Sequence, residues 1–341
     1  MGNIVRKKKS GVFNAVILAG GSGERFWPLS TAKKPKQFLR VFGGESLIRQ
    51  SVHRLGDEVP PENVFVVVAK NLIAATRKEL PELPKGNIVG EPLRRDTAAA
   101  VALGVALASA GEDDPVIGIF SSDQLVTDVK SFRKTLSRAV ALAERRDSVV
   151  TIGIRPTYPA TCFGYISPET RSFVEKPDVK KARSYIKAGY LWNAGMFIAR
   201  SSVFRAAFAE YAPELSALAS PREGAAPVRS LAKVYQSLPK ISFDYAIMER
   251  LDNIEVVPGD FGWDDVGSFA AFDKYFPRDA RGNVREGPCT VVDSGNNICV
   301  VRGAGISLLG VNNLVVITTP DAVLVADKSH LTEMKKLFSS R

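Results

Sequence analysis

The sequence is poor in the residues that several common kinds of active site require. Its 341 residues include two histidines, His53 and His330, and three cysteines, Cys162, Cys289 and Cys299. Two histidines exclude a histidine-rich metal site, and they leave a Ser-His-Asp triad only if one of them is the base. The cysteines form no Cys-x-x-Cys pair and are odd in number. This argues against a disulfide framework or a zinc site and favours a reducing compartment.

Long apolar runs are also missing. No run approaches the ~20 residues that span a bilayer, and the basic N-terminal stretch has no apolar segment before Gly11. We therefore expect a cytoplasmic protein with no membrane contact, in which residues 1–11 form a flexible basic tail. The net charge of +10 suits partners that carry phosphate, although a merely basic surface is the alternative. Because no basic run is interleaved with aromatic residues, nucleic acid is not an expected partner.

Short, continuous apolar runs are what the N-terminal part of the chain does contain. Those at residues 15–18, 64–68 and 116–120 are typical of buried parallel strands, and they alternate with predicted helices such as the alanine-rich stretch 98–110. This alternation predicts an α/β fold over residues 12–275, with a doubly wound, mixed but mostly parallel, Rossmann-like sheet.

The pattern changes in residues 276–341. Short β-branched segments, for example 289–292 and 315–317, are separated by glycine, asparagine and aspartate. No internal repeat is apparent in them. These segments predict a small antiparallel β unit, which a helix over residues 331–338 closes.

A glycine-rich loop follows the first predicted strand. α/β folds bind ligands at the carboxyl ends of their strands, and glycines let backbone amides approach a phosphate. Phe26 stands where a dinucleotide fingerprint needs its third glycine, and the Gly-Lys-Ser/Thr of a P-loop is missing. The cations Arg25 and Lys36 follow instead, which predicts a triphosphate site; a plain turn is the alternative.

Residues 19–30 and 35–38 resemble the signature of the sugar nucleotidyltransferases. The portions Trp27-Pro28-Leu29-Ser30 and Pro35-Lys36-Gln37-Phe38 are similar to the mannose-1-phosphate guanylyltransferase branch of that family. The resemblance implies a nucleotidyltransferase domain over residues 12–275, with Arg25 and Lys36 as catalytic residues. It also implies that the nucleotide is bound by the loop residues Leu18, Ala19, Gly20, Gly21, Ser22 and Gly23.

Two further motifs resemble parts of the family's nucleotide and metal sites. Glu91-Pro92 with Arg95-Asp96-Thr97-Ala98 is similar to its base-side motif, with Asp96 in place of the usual asparagine. The resemblance implies that Glu91, Asp96 and Thr97 lie near the base. Without it, Asp96 and Thr97 would be interpreted as a helix cap.

Ser122-Asp123-Gln124 resembles the family's Ala/Ser-Asp-His motif, and Gly262-Trp263-Asp264-Asp265-Val266-Gly267-Ser268 resembles its second metal motif. Asp123 and Asp265 are thereby implied to be catalytic residues that bind Mg²⁺, and Ser122 to contact the nucleotide. Carboxylate oxygens are the ligands that hard cations prefer. Asp264 replaces a small polar residue, and it either adds charge near the cation or faces solvent.

Four motifs resemble the sugar-phosphate side of the family: 163–166, 174–177, 192–197 and 242–249. They imply that the sugar phosphate is bound by Gly164, Glu175, Lys176, Asn193 and Asp244. Without the resemblance, Glu175 and Lys176 would pass as an ordinary exposed ion pair.

The resemblance as a whole implies Mg²⁺-dependent transfer of GMP from GTP to mannose-1-phosphate. One alternative is another pair, such as UTP or dTTP with glucose-1-phosphate. Another is a non-catalytic nucleotide-sugar sensor, against which the presence of Arg25, Lys36, Asp123 and Asp265 argues. A homodimer is left open by analogy with relatives.

Overall fold

The computed structural model describes residues 12–21, 23–221 and 228–339, so the predicted tail 1–11 and Ser22 lie outside the described residues. The helices are α1 (Leu47–His53), α2 (Ile73–Glu79), α3 (Asp96–Ala108), α4 (Val129–Arg145), α5 (Val179–Lys187), α6 (Ser201–Tyr211), α7 (Pro213–Ser216), α8 (Val228–Ser237), α9 (Phe243–Ala246), α10 (Ala270–Tyr275) and α11 (Lys336–Ser339). Within the described residues, no helix has both the length and the apolar character needed to cross a membrane.

The strands begin with β1 (Phe13–Ala19), β2 (Val64–Ala69), β3 (Ile88–Glu91), β4 (Val116–Ser121), β5 (Leu125–Val126), β6 (Val149–Ile154), β7 (Tyr165–Ile166), β8 (Phe173–Val174), β9 (Leu191–Arg200) and β10 (Ile254–Gly259). They continue with β11 (Trp263–Asp264), β12 (Val284–Glu286), β13 (Cys289–Val292), β14 (Ile298–Val301), β15 (Ile306–Leu309), β16 (Leu314–Thr318) and β17 (Val323–Asp327). Each strand predicted from an apolar run is present within a residue or two of its expected bounds.

The chain divides into two compact units. The first takes the described residues of 1–20, 51–122 and 126–263, and the second takes those of 21–50, 123–125 and 264–341. Both are therefore built from stretches that are distant in sequence. The domain limits at residues 12 and 276 stay a prediction.

The first unit contains a sheet with the strand order β10-β6-β9-β4-β1-β2-β3, to which β7 and β8 are added beside β9. β1 is parallel to β2 and β4, β2 is parallel to β3, and β9 runs antiparallel to β4 and β6. This confirms the predicted mixed, mostly parallel sheet. Because β1 to β4 run in the same direction, their carboxyl ends lie on one edge of the sheet.

α3 packs against β1 and β2 with its alanines almost entirely buried. The predicted side-chain cap of this helix is wrong. Asp96 has a left-handed backbone with φ of 64°, and its Oδ1 accepts from the next backbone amide, that of Thr97, at 2.8 Å. Thr97 Oγ1 accepts instead from the backbone N of Phe243 at 2.8 Å, because α9 approaches the start of α3 at this point.

In the second unit, the prediction of an antiparallel β unit is wrong. β12, β14 and β16 are paired in parallel, as are β13 and β15, and only β16 and β17 are antiparallel in this segment. From β12 to β16 the chain alternates between the two sheets, and β17 then pairs with β16 in the same sheet. Successive passes through the same sheet therefore run in the same direction, which is the winding of a parallel β-helix.

Stacked asparagines hold the turns of this winding together. Asn297 donates from its backbone N to Asn283 Oδ1 at 3.0 Å, and its own Oδ1 accepts from the backbone N of Leu314 at 2.8 Å. Between the same two turns as Asn297 and Leu314, Asn296 Nδ2 donates to Asn313 Oδ1 at 2.7 Å. An asparagine thus precedes each of the strands β12, β14 and β16. This repeat was not predicted from the sequence.

The C-terminal segment only partly forms the helix predicted over residues 331–338. A 3₁₀ helix, Lys328–Glu333, precedes the short α11. Leu331 and Met334 are buried in the apolar cluster of the second unit, together with Phe26 and Phe269. This packing fixes the segment against the rest of its unit.

Candidate active site

A charged pocket of about 220 Å³ lies within the second unit. Its walls come from stretches that are far apart in sequence, and it contains all four predicted catalytic residues. The lining residues are Gly23, Glu24, Arg25, Phe26, Lys36, Asp123, Asp265, Gly267 and Lys335.

Lys36 connects the two aspartates of this charged pocket. It begins the 3₁₀ helix Lys36–Phe38 and is only 7% exposed. Its Nζ donates to Asp123 Oδ2 at 3.0 Å and to the backbone O of Asp265 at 2.7 Å. The ammonium also lies 5.9 Å from the ring centroid of Phe26. A buried, charge-assisted pair of this kind fixes both side chains in position.

Gly23 lets the loop pass directly over Lys36. Its φ is 68°, and a Cβ at this position would lie 2.6 Å from both the backbone N and the Cβ of Lys36. No residue with a side chain fits without moving the lysine backbone. The glycine of the motif is therefore required by close approach, and the interpretation as a plain turn does not account for it.

Arg25 borders the same space as Asp265. A Cβ built on Gly267 would lie 3.4 Å from Asp265 Oδ2 and 3.6 Å from a terminal nitrogen of Arg25. Arg25 is exposed, whereas Lys36 is buried, so the two cations occupy the outer and the inner part of the charged pocket.

The carboxylates of the charged pocket fit a divalent cation. Burial raises the pKa of Asp265, and the charge of Asp123 raises it further against the opposing charges of Lys36 and Arg25. The two carboxylates repel each other, and a cation between them would relieve this repulsion. Their oxygen atoms are the ligands that a hard cation such as Mg²⁺ prefers. Among the described residues, no group of three or more His, Cys, Asp or Glu side chains could hold a metal by itself. Phosphate oxygens and waters would have to complete the coordination, as is usual for Mg²⁺.

Asp264 does not belong to this group of ligands. It accepts from the backbone N of Val266 at 2.7 Å and from Lys274 and Tyr275 at 2.8 Å each. Burial raises the pKa of Asp264, but these hydrogen bonds outweigh it and hold the pKa below its ordinary value. Its role is to fix the loop in which Asp265 stands, since Val266 has a φ of 46°.

The first unit contains several of the predicted nucleotide-binding residues, including Glu91 of the base-side motif. Leu18, Ala19 and Gly20 lie at the carboxyl end of β1, and Ser122 donates its backbone N to Leu18 O at 3.0 Å. At the end of β3, Glu91 is buried, and its Oε2 lies 3.6 Å from where a Cβ on Gly20 would stand. Burial raises the pKa of Glu91 to about 7, although Tyr235 donates a hydrogen bond to it.

The predicted sugar-side residues also meet within the first unit; we call Glu175, Lys176, Asn193 and Asp244 the carboxylate cluster. Lys176 Nζ lies 2.6 Å from Glu175 Oε1, and Asn193 Nδ2 donates to Asp244 Oδ1 at 3.0 Å. Thr151 Oγ1 donates a hydrogen bond to Asn193 Oδ1 at 3.1 Å, which fixes the direction of the amide. The charges of Glu175 and Lys176 both act on the carboxyl of Asp244, so the ion pair lies near this group.

Gly164 is packed directly on the carboxylate cluster. Its backbone O accepts from the backbone N of Asn193 at 2.8 Å, and a Cβ on Gly164 would lie 2.7 Å from Glu175 Oε2. Burial raises the pKa of Asp244 to about 7, and the charge of Glu175 adds to the effect. Burial lowers the pKa of Lys176, but the hydrogen bond and charge of Glu175 outweigh it and raise the pKa, so Lys176 keeps its positive charge.

The predicted residues thus fall into groups inside each unit, with two exceptions. Ser22 lies outside the described residues, and Asp96 is exposed with its carboxyl bonded to its own helix start. The sequence analysis did not identify Glu24, Gly267 and Lys335 as lining residues of the charged pocket. Glu24 and Gly267 stand inside motifs that had been recognised, whereas no motif contains Lys335.

Comparison with known proteins identifies the family to which the chain belongs. The family model described as nucleotidyl transferase matches residues 14–281. The chain belongs to the nucleotidyl transferase family. A second model, described as a mannose-phosphate isomerase/GMP-like β-helix domain, matches residues 287–339, in agreement with the observed winding.

Proteins named mannose-1-phosphate guanylyltransferase are among the relatives. Alginate biosynthesis protein AlgA of Pseudomonas aeruginosa is 35% identical over 340 residues, which cover 94% of this chain and 70% of that protein. Mannose-1-phosphate guanylyltransferase of Escherichia coli K12 is 34% identical over 346 residues, covering 94% and 72%. A solved structure named mannose-1-phosphate geranyltransferase, from Thermus thermophilus, matches with a TM-score of 0.86 and 34% identity, covering 96% and 98%. The resemblance and the fold predicted from the sequence are both confirmed.

Proposed function

We propose that this chain transfers GMP from GTP to mannose-1-phosphate and releases GDP-mannose and pyrophosphate. The observation that supports this most strongly is the charged pocket, where Arg25, Lys36, Asp123 and Asp265 surround one space. Relatives named mannose-1-phosphate guanylyltransferase support the choice of substrates. We include Mg²⁺ as the metal because the donors are carboxylate oxygens.

The reaction is an in-line displacement at the α-phosphorus of GTP. An oxygen of the sugar phosphate forms the new bond to the α-phosphorus, and the bond from the α-phosphorus to the bridging oxygen breaks, so that pyrophosphate leaves with the electron pair. Such a step needs positioning and charge stabilisation more than a protein nucleophile.

Residues of the second unit act on the triphosphate. Lys36 is held 3.0 Å from Asp123 and stabilises the charge that develops at the α-phosphate. Arg25 and the amides of the glycine loop bind the outer phosphates. Asp123 and Asp265 would hold Mg²⁺, which would neutralise charge on the phosphate oxygens.

Residues of the first unit act on the sugar phosphate and the base. Lys176 binds the phosphate of the acceptor. The sugar hydroxyls form hydrogen bonds with Glu175, Asn193 and Asp244. Glu91, Thr97 and Ser122 lie on the base side, as does Asp96 in the family's pattern. Lys176 suits its role because its pKa is raised and its charge is retained at neutral pH.

The test is pyrophosphate release from five nucleotides, GTP, ATP, UTP, CTP and dTTP, each offered with mannose-1-phosphate and with glucose-1-phosphate. The series is repeated with Mg²⁺, with Mn²⁺ and with a chelator. We expect release confined to GTP with mannose-1-phosphate and a divalent metal. Preference for UTP or dTTP would overturn the substrates, and nucleotide binding without release from any pair would favour the sensor alternative.

A further inference from the structure

We propose that Lys335 is a third cation of the triphosphate site, which binds the β- and γ-phosphates of the nucleotide and hence the pyrophosphate product. The inference rests on the proposed function. Lys335 lines the charged pocket together with Arg25 and Lys36. It stands in the C-terminal segment, after the β-helix, in a stretch that no nucleotide-binding motif contains.

The backbone at Lys335 is fixed beside the glycine loop. Met334 is 3% exposed and belongs to the same apolar cluster as Phe26. On the other side, the ring of Phe338 makes an edge-on contact with Trp27, with 6.3 Å between centroids. The neighbours of Lys335 therefore pack on the residues that follow Arg25. Both cations line the same pocket.

The balance of charge in the charged pocket indicates why a further cation is needed to bind a triphosphate. Its lining side chains include three cations, Arg25, Lys36 and Lys335, and three carboxylates, Glu24, Asp123 and Asp265. Lys36 is already paired with Asp123 at 3.0 Å. A triphosphate brings several further negative charges, so cations beyond Lys36 are needed to bind it.

Exposure indicates which phosphates Lys335 meets. Lys36 is buried beside the two metal-binding aspartates, where the reacting α-phosphate has to lie. Lys335 and Arg25 are exposed, on the outer part of the pocket. The outer phosphates, which leave as pyrophosphate, are therefore the groups within reach of Lys335.

The neighbouring lysine offers a matched control. Lys336 is exposed, its Nζ lies 2.7 Å from Glu333 Oε2, and it is not among the residues that line the pocket. We would measure equilibrium binding of GTP and of GMP to the wild type, Lys335→Gln, Lys335→Arg and Lys336→Gln. Loss of one charge-assisted contact should weaken GTP binding about tenfold to a hundredfold in Lys335→Gln and leave GMP binding within about twofold. Lys335→Arg should retain most of the affinity, and Lys336→Gln should match the wild type.

Kinetics in the reverse direction give a second measurement. In Lys335→Gln, the KM for pyrophosphate should rise while the KM for GDP-mannose stays unchanged. Equal losses for GTP and GMP, the same loss in Lys336→Gln, or unchanged GTP binding would each overturn the inference. If the wild type binds GTP but transfers no GMP, the proposed function fails, and the comparison of GTP with GMP still decides the role of Lys335.

Discussion

The charged pocket and the carboxylate cluster differ in the charges that surround a buried carboxyl. In the pocket, Asp123 faces Lys36 at 3.0 Å, so a carboxylate and a cation balance each other. In the cluster, two carboxylates lie close enough that the charge of Glu175 helps to raise the pKa of Asp244 to about 7, after the larger effect of burial. Burial also raises the pKa of Asp265 in the pocket, but there two cations, Lys36 and Arg25, oppose the rise. At Asp244, Lys176 is the cation that opposes it.

Under the proposed function, this difference follows from what each group binds. Phosphates carry permanent charge and are held by permanent cations and backbone amides. Sugar hydroxyls are uncharged, and they are recognised by acceptors in fixed positions, which a protein can supply with carboxylates even at a cost in stability. Three substitutions test this contrast.

The largest effect is expected from Asp265→Asn in the charged pocket. The amide cannot supply the charge for a divalent cation, so kcat should fall at least about a hundredfold to a thousandfold. The KM for mannose-1-phosphate should stay the same, since the carboxylate cluster is unchanged. Lys36 keeps its contact with the backbone O of residue 265, and the fold should be preserved. Steady-state pyrophosphate release measures both constants.

Asp293→Asn is the control for this variant, because its side chain is 74% exposed. It should behave as the wild type. Near-normal turnover of Asp265→Asn would remove Asp265 from the proposed metal site.

An intermediate effect is expected from Lys176→Gln. Loss of a charged contact to the acceptor phosphate should lower kcat/KM for mannose-1-phosphate about tenfold to a hundredfold, with the KM for GTP unchanged. Lys180→Gln, at an exposed position of α5, is the control. An equal rise in both KM values would mean that Lys176 acts through the structure of the unit and not on the sugar phosphate.

The smallest effect concerns stability and comes from Asp244→Asn. The folded state holds the Asp244 proton up to a pKa of about 7, against an ordinary value of 3.8. Because the folded state binds this proton more tightly, stability is lost as pH rises from the ordinary value through about 7. Asparagine stays neutral, so the variant should gain on the order of 1 to 3 kcal/mol over the wild type at pH 8, with a smaller gain at pH 5.

Urea unfolding at the two pH values measures this difference, and activity should fall in the same variant. Asp252→Asn, at an exposed position, serves as the control. An Asp244→Asn variant that is less stable than the wild type at pH 8 would contradict the view that the folded carboxylate cluster disfavours the charge of Asp244.

Much of the first unit could be predicted from the sequence because its signals are local. Strands buried on both faces give continuous apolar runs, and the glycine loop follows the first of them. The β-helix could not be predicted in the same way. Its strands pair with others one full turn away, and short β-branched segments between Asn and Gly are equally typical of hairpins. The asparagines at positions 283, 297 and 313 carried the missing signal.

The same reasoning explains which site residues were found. Asp123 and Asp265 could be found because they lie in recognised motifs. The 229 positions that separate Asp265 from Lys36 were therefore no obstacle. Lys335 reaches the pocket through the packing of Met334 and Phe338, which depends on tertiary structure alone. Asp264 shows the reverse case, since a carboxylate inside a metal motif turns out to hold a loop.

The stacked asparagines have a consequence for how this part of the chain can change. Each turn bonds mainly to the turn before it and the turn after it, as Asn297 does with Asn283 and Leu314. Stability in such an array is a sum of nearest-neighbour contributions. A whole coil with its own asparagine can therefore be inserted or deleted as a unit, and the length of the helix is open to evolution and to engineering one coil at a time.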